Sequence, residues 1–226
     1  MRTITQKIYK YDELKEDVKE KLLKAEKEQC LDDYCELFLY DDMFYEAERL
    51  LKNCFGENVC LDKVYYDLSY SQGSGAMTCF TIDIESINDK YKIFNNEEIR
   101  YIRDKGILND IKVYHNDNYY YHEYTFAIDY DYDFCWDYED IKDDYNISEE
   151  SFKSIEDRVV NLFDTYNIHS NDRSDFIKDI ISINCELSKR GYEMIDSDNF
   201  DISICLDNLN EREYFKNGDV YYGSLV

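Results

Sequence analysis

Two stretches of the chain alternate apolar and polar residues in the manner of half-buried β-strands. One occupies residues 64–71 and the other residues 80–85. Residues 71–75, S-Q-G-S-G, lie between them, and the two glycines can adopt positive φ angles without a Cβ clash. The pattern therefore predicts a β-hairpin. Its apolar faces consist of Val64, Tyr66, Leu68 and Tyr70 on the first strand and Phe80, Ile82 and Ile84 on the second.

Before the hairpin, apolar side chains recur at helical spacing. A first helix is predicted from Asp12, as its N-cap, to about Ala25, with acids in the first turn. A second helix is predicted over residues 33–54 and ends at Phe55-Gly56. The chain up to the hairpin is therefore predicted to be mostly helical.

After the hairpin, the same patterns predict a further helix and one more pair of strands. A short helix from Asn95 is closed by Gly106. Strands are predicted over residues 111–114 and 119–129, joined by a turn at residues 115–118. One face of the second of these strands would consist of Tyr120, His122, Tyr124, Phe126 and Ile128.

The periodicity of the last part of the chain is helical. One helix follows Ser148, which is predicted to cap it, and another is capped by Asp172 or Ser174. A third helix spans residues 197–209, and residues 217–219 form a final turn.

The order of these elements predicts the fold class. Strands in hairpins with helices grouped around them indicate an α+β fold, here an antiparallel sheet of about four strands packed with N-terminal and C-terminal helices. The length of 226 residues favours a single domain over residues 1–226. Within it, residues 1–90 hold helices and the first hairpin, residues 91–145 hold the second hairpin and an acidic stretch, and residues 146–226 are helical.

The charge of the chain bears on its partners. Fifty-one acids oppose 26 Lys and Arg residues, which gives a formal net charge of −25. Such a field repels nucleic acid and anionic membranes and attracts basic surfaces with salt-sensitive association. Solubility alone, or a high-salt habitat, would also account for the charge. The 24 Tyr and 12 Phe residues exclude the class of acidic disordered chains, which are poor in aromatic residues.

The cysteines and histidines form no recognisable metal motif. The eight cysteines include no C-x-x-C pair, and the three histidines are not at zinc-finger spacing from them. The N-terminus lacks the apolar core of a signal peptide, and no apolar run is long enough to span a membrane. These features predict buried or partly buried free thiols, no cofactor, no metal, and a cytoplasmic protein, in the host cell cytoplasm if a phage encodes it.

The glycine-containing loop at residues 71–75 has two interpretations. Its backbone N–H groups are able to cradle an anion, as glycine-rich loops do. It lacks the lysine of a P-loop, however, and the surrounding negative charge disfavours an anionic ligand. A plain turn is the favoured interpretation.

Three segments resemble a family of small proteins carried by phages and mobile elements. They are K-Y-D-E-L-K-E-D-V-K-E-K-L-L at residues 10–23, Y-E-A-E-R-L-L-K at residues 45–52, and D-K-V-Y-Y-D-L-S-Y-S-Q-G-S-G-A at residues 62–76. The family hairpin carries S-Q-G-D-G-A, and Ser74 here replaces its Asp. Some members are labelled antitoxins. The resemblance implies a mobile-element origin, in which small acidic proteins antagonise host machinery, and it implies no enzyme.

Residues 129–144, here called the acidic tract, interleave acids with aromatic residues and form the candidate site. An EF-hand would need a glycine, and the tract has none. Acids regularly spaced among aromatic residues can imitate a nucleic-acid backbone and occupy the cationic side chains that hold nucleic acid. A solvated acidic surface, a metal site and acid–base chemistry are the alternatives. The predicted partner-binding residues are Asp129, Asp131, Asp133, Asp137, Glu139, Asp140, Asp143 and Asp144, with Tyr130, Tyr132 and Trp136 as aromatic anchors.

Together these features predict a phage or mobile-element inhibitor of the anti-CRISPR or antirestriction type. Its partner would be a basic host protein, a nucleic-acid-binding nuclease, which it blocks by nucleic-acid mimicry without binding nucleic acid or membrane itself. The first alternative is an antitoxin-like protein that neutralises a cognate toxin by direct binding. The second is an enzyme or metal protein that uses the acidic cluster. The sequence leaves the oligomeric state open.

Overall fold

The computed structural model describes residues 6–108, 110–116, 120–130, 136–165, 168–196 and 201–222. The chain divides into two compact units. Asp41–Tyr192 form one, here called the sheet unit, and Met1–Tyr40 with Glu193–Val226 form the other, the terminal unit. The grouping of residues 1–226 into one domain with three parts stays a prediction.

The described residues form eight α-helices, four β-strands and a 3-10 turn at Tyr11–Glu13. The strands are β1 (Cys60–Asp67), β2 (Gly75–Asp83), β3 (Asp110–His115) and β4 (Phe126–Asp129). The helices are α1 (Glu16–Leu37), α2 (Leu39–Phe55), α3 (Ile84–Tyr91), α4 (Asn96–Asp104), α5 (Tyr138–Ile141), α6 (Glu149–Phe163), α7 (Asp175–Ile195) and α8 (Ile202–Glu211). The strands make one antiparallel sheet in the order β1-β2-β3-β4, which confirms the predicted α+β class.

The predicted first hairpin is present, with β1 antiparallel to β2. Val64, Phe80 and Ile82 are buried in it, as the alternation predicts. The prediction for Tyr70 is wrong. Because β1 ends at Asp67, Tyr70 lies in the connection, with a positive φ of 56° and 72% of its surface exposed.

The connection between β1 and β2 is a tight turn. Ser74 N donates a hydrogen bond to the carbonyl of Ser71 at 3.1 Å. Gly73 has a φ of 85°, and a Cβ at this position would lie 1.9 Å from the Tyr120 ring. Both the backbone conformation and the close approach of the ring therefore require glycine at this position.

Helix α7 supplies hydrogen bonds to the part of β2 that pairs with β1 but not with β3. β3 pairs only with residues 80–83 of β2. Nearer the turn, Asn184 Oδ1 accepts hydrogen bonds from Thr78 N at 3.0 Å and Thr78 Oγ1 at 2.9 Å, and Ser188 Oγ accepts one from Ala76 N at 2.7 Å. Two polar side chains of a helix thus take the place of a neighbouring strand, because buried backbone donors need partners.

Replacing Asn184 with alanine should destabilise the sheet unit by about 2–4 kcal/mol. Asn184 is fully buried, so the substitution leaves the Thr78 N–H and hydroxyl without partners and without water. Urea unfolding measures the loss. Asn161→Ala, at an exposed position of α6, is the control and should change stability by less than about 0.5 kcal/mol. Equal stabilities for the two variants would contradict this account of β2.

The second pair of strands is shorter than predicted. β3 lies where it is expected, but β4 begins only at Phe126. The placement of Tyr120, His122 and Tyr124 on that strand is wrong, because the chain turns locally there. Thr125 N donates to the carbonyl of His122 at 3.0 Å in place of a ladder hydrogen bond. Part of the predicted turn lies outside the described residues.

Three helices begin where the sequence predicts. The Asn95 side chain accepts hydrogen bonds at the start of α4, and Ser148 Oγ accepts one from Ser151 N at 3.1 Å at the start of α6. At α7, Ser174 Oγ accepts a hydrogen bond from Ile177 N at 3.3 Å, so Ser174, and not Asp172, is the cap.

The predicted boundaries of the first two helices are wrong. α1 begins at Glu16 and not at Asp12, because residues 11–13 form a separate turn in which the Glu13 carboxylate accepts a hydrogen bond from Lys10 N. α1 then passes the predicted helix start at residue 33 and ends at Leu37. The sequence pattern also missed α3, in which Ile84 is helical and not part of a strand.

The terminal unit is built on α1 and α8. Glu26 is buried on α1 and accepts hydrogen bonds from both terminal nitrogens of Arg212, at 2.6 and 3.1 Å, which compensates its charge. α8 is displaced from the predicted residues 197–209, of which residues 197–200 lie outside the described residues. The predicted final turn is confirmed by a hydrogen bond from Gly218 N to the Phe215 carbonyl. The buried core of this unit consists of Tyr11, Leu14, Leu209 and Tyr214.

The seven described cysteines are all free thiols. The predicted burial holds for Cys79 and Cys205, and three others are half-buried. It is wrong for Cys60 and Cys185, which are exposed. Cys135 lies outside the described residues.

Candidate partner-binding surface

The acidic tract is described in two pieces, residues 129–130 and residues 136–144. The first piece ends β4 and continues for one residue, and the second contains α5 and the turn after it. Asp131, Tyr132 and Asp133 lie outside the described residues, so their part in a surface stays a prediction.

Over residues 136–145, the helical spacing places the apolar side chains on one face and the acidic side chains on another. Tyr138, Ile141 and Tyr145 follow one another at intervals of three and four residues, with Ile141 and Tyr145 buried and Tyr138 half-buried. Three acids repeat the same intervals one position earlier and are exposed. The apolar stripe therefore turns an acidic stripe toward solvent, consisting of Asp137, Asp140 and Asp144.

Contacts with α4 hold this part of the tract in place. The Tyr145 ring packs edge-on against Tyr101, with centroids 5.3 Å apart. The Arg100 guanidinium lies 4.9 Å from the centre of the Tyr145 ring and donates to the Asp144 carbonyl at 2.7 Å. Burial, and then the nearby charge of Asp104, raise the pKa of Tyr145, so it stays neutral in this contact.

Most of the exposed carboxylates in this stretch are not used internally. Glu139 is an exception, because Lys142 donates a hydrogen bond to it and the pKa of Lys142 is raised as a result. Among the described residues, none donates a hydrogen bond to the side chains of Asp137, Asp140 or Asp143. These three carboxylates are therefore available to an external cation.

The two described aromatic anchors differ in exposure. Trp136 is 38% exposed, and Lys105 Nζ lies 4.2 Å from its ring centroid. Tyr130 is half-buried and packs on Phe163 with centroids 4.7 Å apart. Trp136 is thus presented to solvent, whereas much of Tyr130 already belongs to the core of the sheet unit. Asp129 is exposed at the end of β4.

The run of acids extends past the acidic tract onto α6, an extension that the sequence pattern did not predict. Tyr138 joins α5 to the start of α6, because its hydroxyl donates to the Ile147 carbonyl at 3.2 Å and its ring packs on Phe152. Residues 129–157 contain twelve acids and two lysines, and a charge count carried past residue 144 would have found the extension. The additional exposed acids are Glu149, Glu150, Glu156 and Asp157.

A metal site and histidine chemistry are the alternatives to charge presentation on which the described part of the chain bears. No group of three His, Cys, Asp or Glu side chains there is arranged to hold a metal ion. His115 packs between aromatic rings, 4.8 Å from Tyr65 and 5.1 Å from Tyr121. His122 and His169 both lie against Tyr124. His115 and His122 are half-buried in these contacts, whereas His169 is exposed.

A cavity of about 570 Å³ opens between α6 and α7 in the sheet unit. Tyr91 and Phe176 supply its aromatic walls, and Arg158 and Arg173 supply positive charge. Three carboxylates face the same space, so the lining favours neither an anion nor a cation. They are Asp164, Asp172 and Asp175.

Comparisons with known proteins identified no relative of this chain. None of the protein-family models matches the chain, and no curated protein or solved structure matches it either. The resemblance to a phage and mobile-element family stays a prediction. Within the described ranges, no helix has both the length and the apolar character needed to cross a bilayer.

Proposed function

We propose that this chain inhibits a basic, nucleic-acid-binding host protein by occupying its nucleic-acid channel. The contacts would be made by the acidic tract and its extension on α6, with Trp136 as the exposed aromatic anchor. The partner class is a nuclease of host defence. The chain itself binds neither nucleic acid nor membrane, because its net charge of −25 repels both.

The observation that carries this proposal is the acidic stripe of Asp137, Asp140 and Asp144. A surface that serves only solubility needs no fixed arrangement of its charges. Here the acids alternate with the buried side chains of Ile141 and Tyr145, so that their spacing is set by the core of the sheet unit. Preorganised carboxylates lose less conformational entropy when they meet lysine and arginine side chains of a partner.

Competition by duplex DNA tests the proposal most directly. The immobilised protein is incubated with a lysate of the cells that carry its gene, at about 50 mM salt, and retained proteins are challenged with duplex DNA. We expect DNA to release a basic nuclease whose DNA cleavage the free protein inhibits. Raising salt to about 200 mM should weaken binding at least about tenfold, because the contacts are between exposed charges.

Two results would contradict the proposal. One is a partner that duplex DNA does not displace, which would place the contact outside a nucleic-acid channel. A small protein that is toxic alone and is retained in this way would favour the antitoxin-like alternative instead. The other is a nuclease that is retained but keeps its full activity at saturating concentrations of this chain.

A further inference from the structure

Cys54, Lys90 and Asp179 meet in a cluster of the sheet unit that the proposed function does not use. Cys54 is near the end of α2, Lys90 near the end of α3, and Asp179 on α7. Lys90 Nζ donates to Cys54 Sγ at 2.8 Å and lies 2.7 Å from Asp179 Oδ2. The Tyr91 hydroxyl donates to the same carboxylate oxygen at 2.5 Å.

The contact between nitrogen and sulfur is unusually close. A separation of 2.8 Å is typical of N–H···O hydrogen bonds, whereas sulfur, the larger atom, normally holds a donor farther away. The position of Lys90 is fixed on other sides as well. Its Nζ lies 4.9 Å from the centre of the Phe55 ring and 5.3 Å from that of Tyr91. The amine and the thiol are thus held together by groups from three helices.

We propose that Cys54 and Lys90 form an oxidation-dependent covalent cross-link in which one oxygen atom bridges Nζ and Sγ. The oxidant is a peroxide. The neutral amine, the thiol and two molecules of hydrogen peroxide give the nitrogen–oxygen–sulfur bridge and three molecules of water. Sulfur and nitrogen each lose two electrons, and the four electrons reduce the two O–O bonds. The bridge is a modification site that is independent of the proposed function.

Two oxidations and one condensation form the bridge. The Cys54 thiol first loses its proton. The thiolate attacks one peroxide, which forms an S–O bond and breaks the O–O bond, and the released hydroxide takes up that proton, so the products are a sulfenic acid and water. The Lys90 amine attacks the second peroxide in the same way and becomes a hydroxylamine. Condensation of the two hydroxyl groups then releases water and leaves a single bridging oxygen.

The geometry favours an oxygen bridge over a direct bond. A bridging oxygen spans roughly the separation that the two atoms already have, whereas an N–S bond requires Lys90 and Cys54 to move considerably closer. Other thiols lack this arrangement. Among the described residues, no lysine amine lies within hydrogen-bonding distance of the exposed Cys60 and Cys185.

The protonation of the two groups sets the expected rate. Burial raises the pKa of the Cys54 thiol, although the hydrogen bond from Lys90 acts in the opposite direction. Burial lowers the pKa of Lys90, but hydrogen bonds to Asp179 and Cys54 outweigh it and the pKa is raised. Thiol and ammonium therefore predominate at neutral pH, and the reaction should be slow there and faster in mildly alkaline solution.

Peptide mapping of the whole protein after peroxide treatment tests the cross-link. We expect tryptic residues 53–63 and 64–92 to be joined, because a bridged Lys90 is no longer cleaved. Their mass should equal the sum of both peptides plus one oxygen and minus two hydrogens, and dithiothreitol should separate them. The oxidised protein should also unfold several degrees higher than the reduced one, since the bridge closes a loop around the first hairpin.

Two variants serve as matched controls. Lys90→Arg keeps a cation beside Asp179 but replaces the reactive amine with a guanidinium, so it should give no cross-link and no rise in unfolding temperature. Cys60→Ser removes the other thiol of the same peptide and should leave the cross-link intact.

Three outcomes would overturn the proposal. Cys54 ends as a sulfinic acid without a cross-link, and trypsin cleaves normally after Lys90. Cys54 stays a thiol while Cys60 and Cys185 are oxidised in the same sample. The peptides are joined, but their mass lacks the oxygen atom.

Discussion

Reversing four charges of the acidic tract should weaken binding to the nuclease partner at least about 100-fold, equivalent to about 2.7 kcal/mol. The variant carries Asp137→Lys, Asp140→Lys, Asp143→Lys and Asp144→Lys. Each change replaces an attraction to a cationic channel with a repulsion, and like charges brought together across an interface cost several kcal/mol. Surface plasmon resonance at about 50 mM and 200 mM salt measures the affinity and its salt dependence.

A variant with the same net charge separates the surface from the overall field. Its four substitutions replace exposed acids of α1 and are Glu20→Lys, Glu28→Lys, Asp32→Lys and Glu36→Lys. Long-range attraction depends on total charge, so this control should lose only a few-fold in affinity, mainly in the association rate. Equal losses in the two variants would mean that total charge, and not the acidic tract, determines binding.

Exchanging Trp136 for alanine in the same assay tests the aromatic anchor. Exposed tryptophans at the centre of an interface commonly contribute about 2 kcal/mol or more. The Lys105 cation that covers this ring is not removed by the substitution, so the local charge stays the same. An unchanged affinity would restrict the proposed contact to the carboxylates.

Replacing Arg158 with methionine should destabilise the sheet unit by about 3–5 kcal/mol. Arg158 donates to both carboxylate oxygens of Glu98, at 2.6 and 3.1 Å, and the Glu98 side chain is only 2% exposed. Without Arg158 that carboxylate remains buried with no cation beside it. Chemical denaturation at pH 7 measures the loss, and thermal unfolding at the same pH should show a midpoint lowered by about 10 °C.

The pH dependence of this loss is a distinctive test. Burial alone would raise the pKa of Glu98, but hydrogen bonds from Arg158, Ser151 and Asn95 N lower it below 4.5. In the wild-type protein, Glu98 therefore contributes stability that is complete above pH 4.5 and is lost as the pH falls through its lowered pKa. In Arg158→Met, the guanidinium no longer opposes the effect of burial on the pKa of Glu98. Glu98 is therefore protonated at a higher pH in the variant than in the wild-type protein, and its protonation removes the buried charge that destabilises the variant. The difference in unfolding free energy between the wild-type protein and Arg158→Met should therefore become smaller as the pH is lowered.

Glu98→Gln combined with Arg158→Met provides the control for that measurement. The glutamine can still accept the hydrogen bond from Asn95 N that closes the capping box of α4, but it brings no buried charge. The double variant should be more stable than Arg158→Met alone at pH 7. A double variant that is less stable would show that the packing of Arg158, and not its charge, accounts for the loss.

Much of the fold could be predicted because it depends on neighbours in sequence. Alternation over residues 64–71 and 80–85 identified the first hairpin, and the side-chain caps Ser148 and Ser174 marked the beginnings of α6 and α7. The errors occur where local signals compete. Asp12 is a good N-cap by type, yet the adjacent 3-10 turn, closed between Glu13 and Lys10, delays α1 to Glu16.

The candidate site was predictable in composition and only partly in arrangement. The density of acids in residues 129–144 is visible in the sequence, and so is its continuation onto α6. Which side chains are buried is not, since Tyr130 packs on Phe163 while Trp136 stays exposed. The acidic stripe emerges only from the burial of Ile141 and Tyr145 against the rest of the sheet unit.

The sequence by itself determined the α+β class, the first hairpin, most of the helices and the excess of negative charge, because each follows from residue type and short-range periodicity. Only the tertiary structure decided which distant polar groups are partners. Asn184 meets Thr78, Arg158 meets Glu98, and Lys90 meets Cys54. No periodicity links such positions, since their contacts arise when separate helices and strands pack and buried polar atoms must find hydrogen bonds.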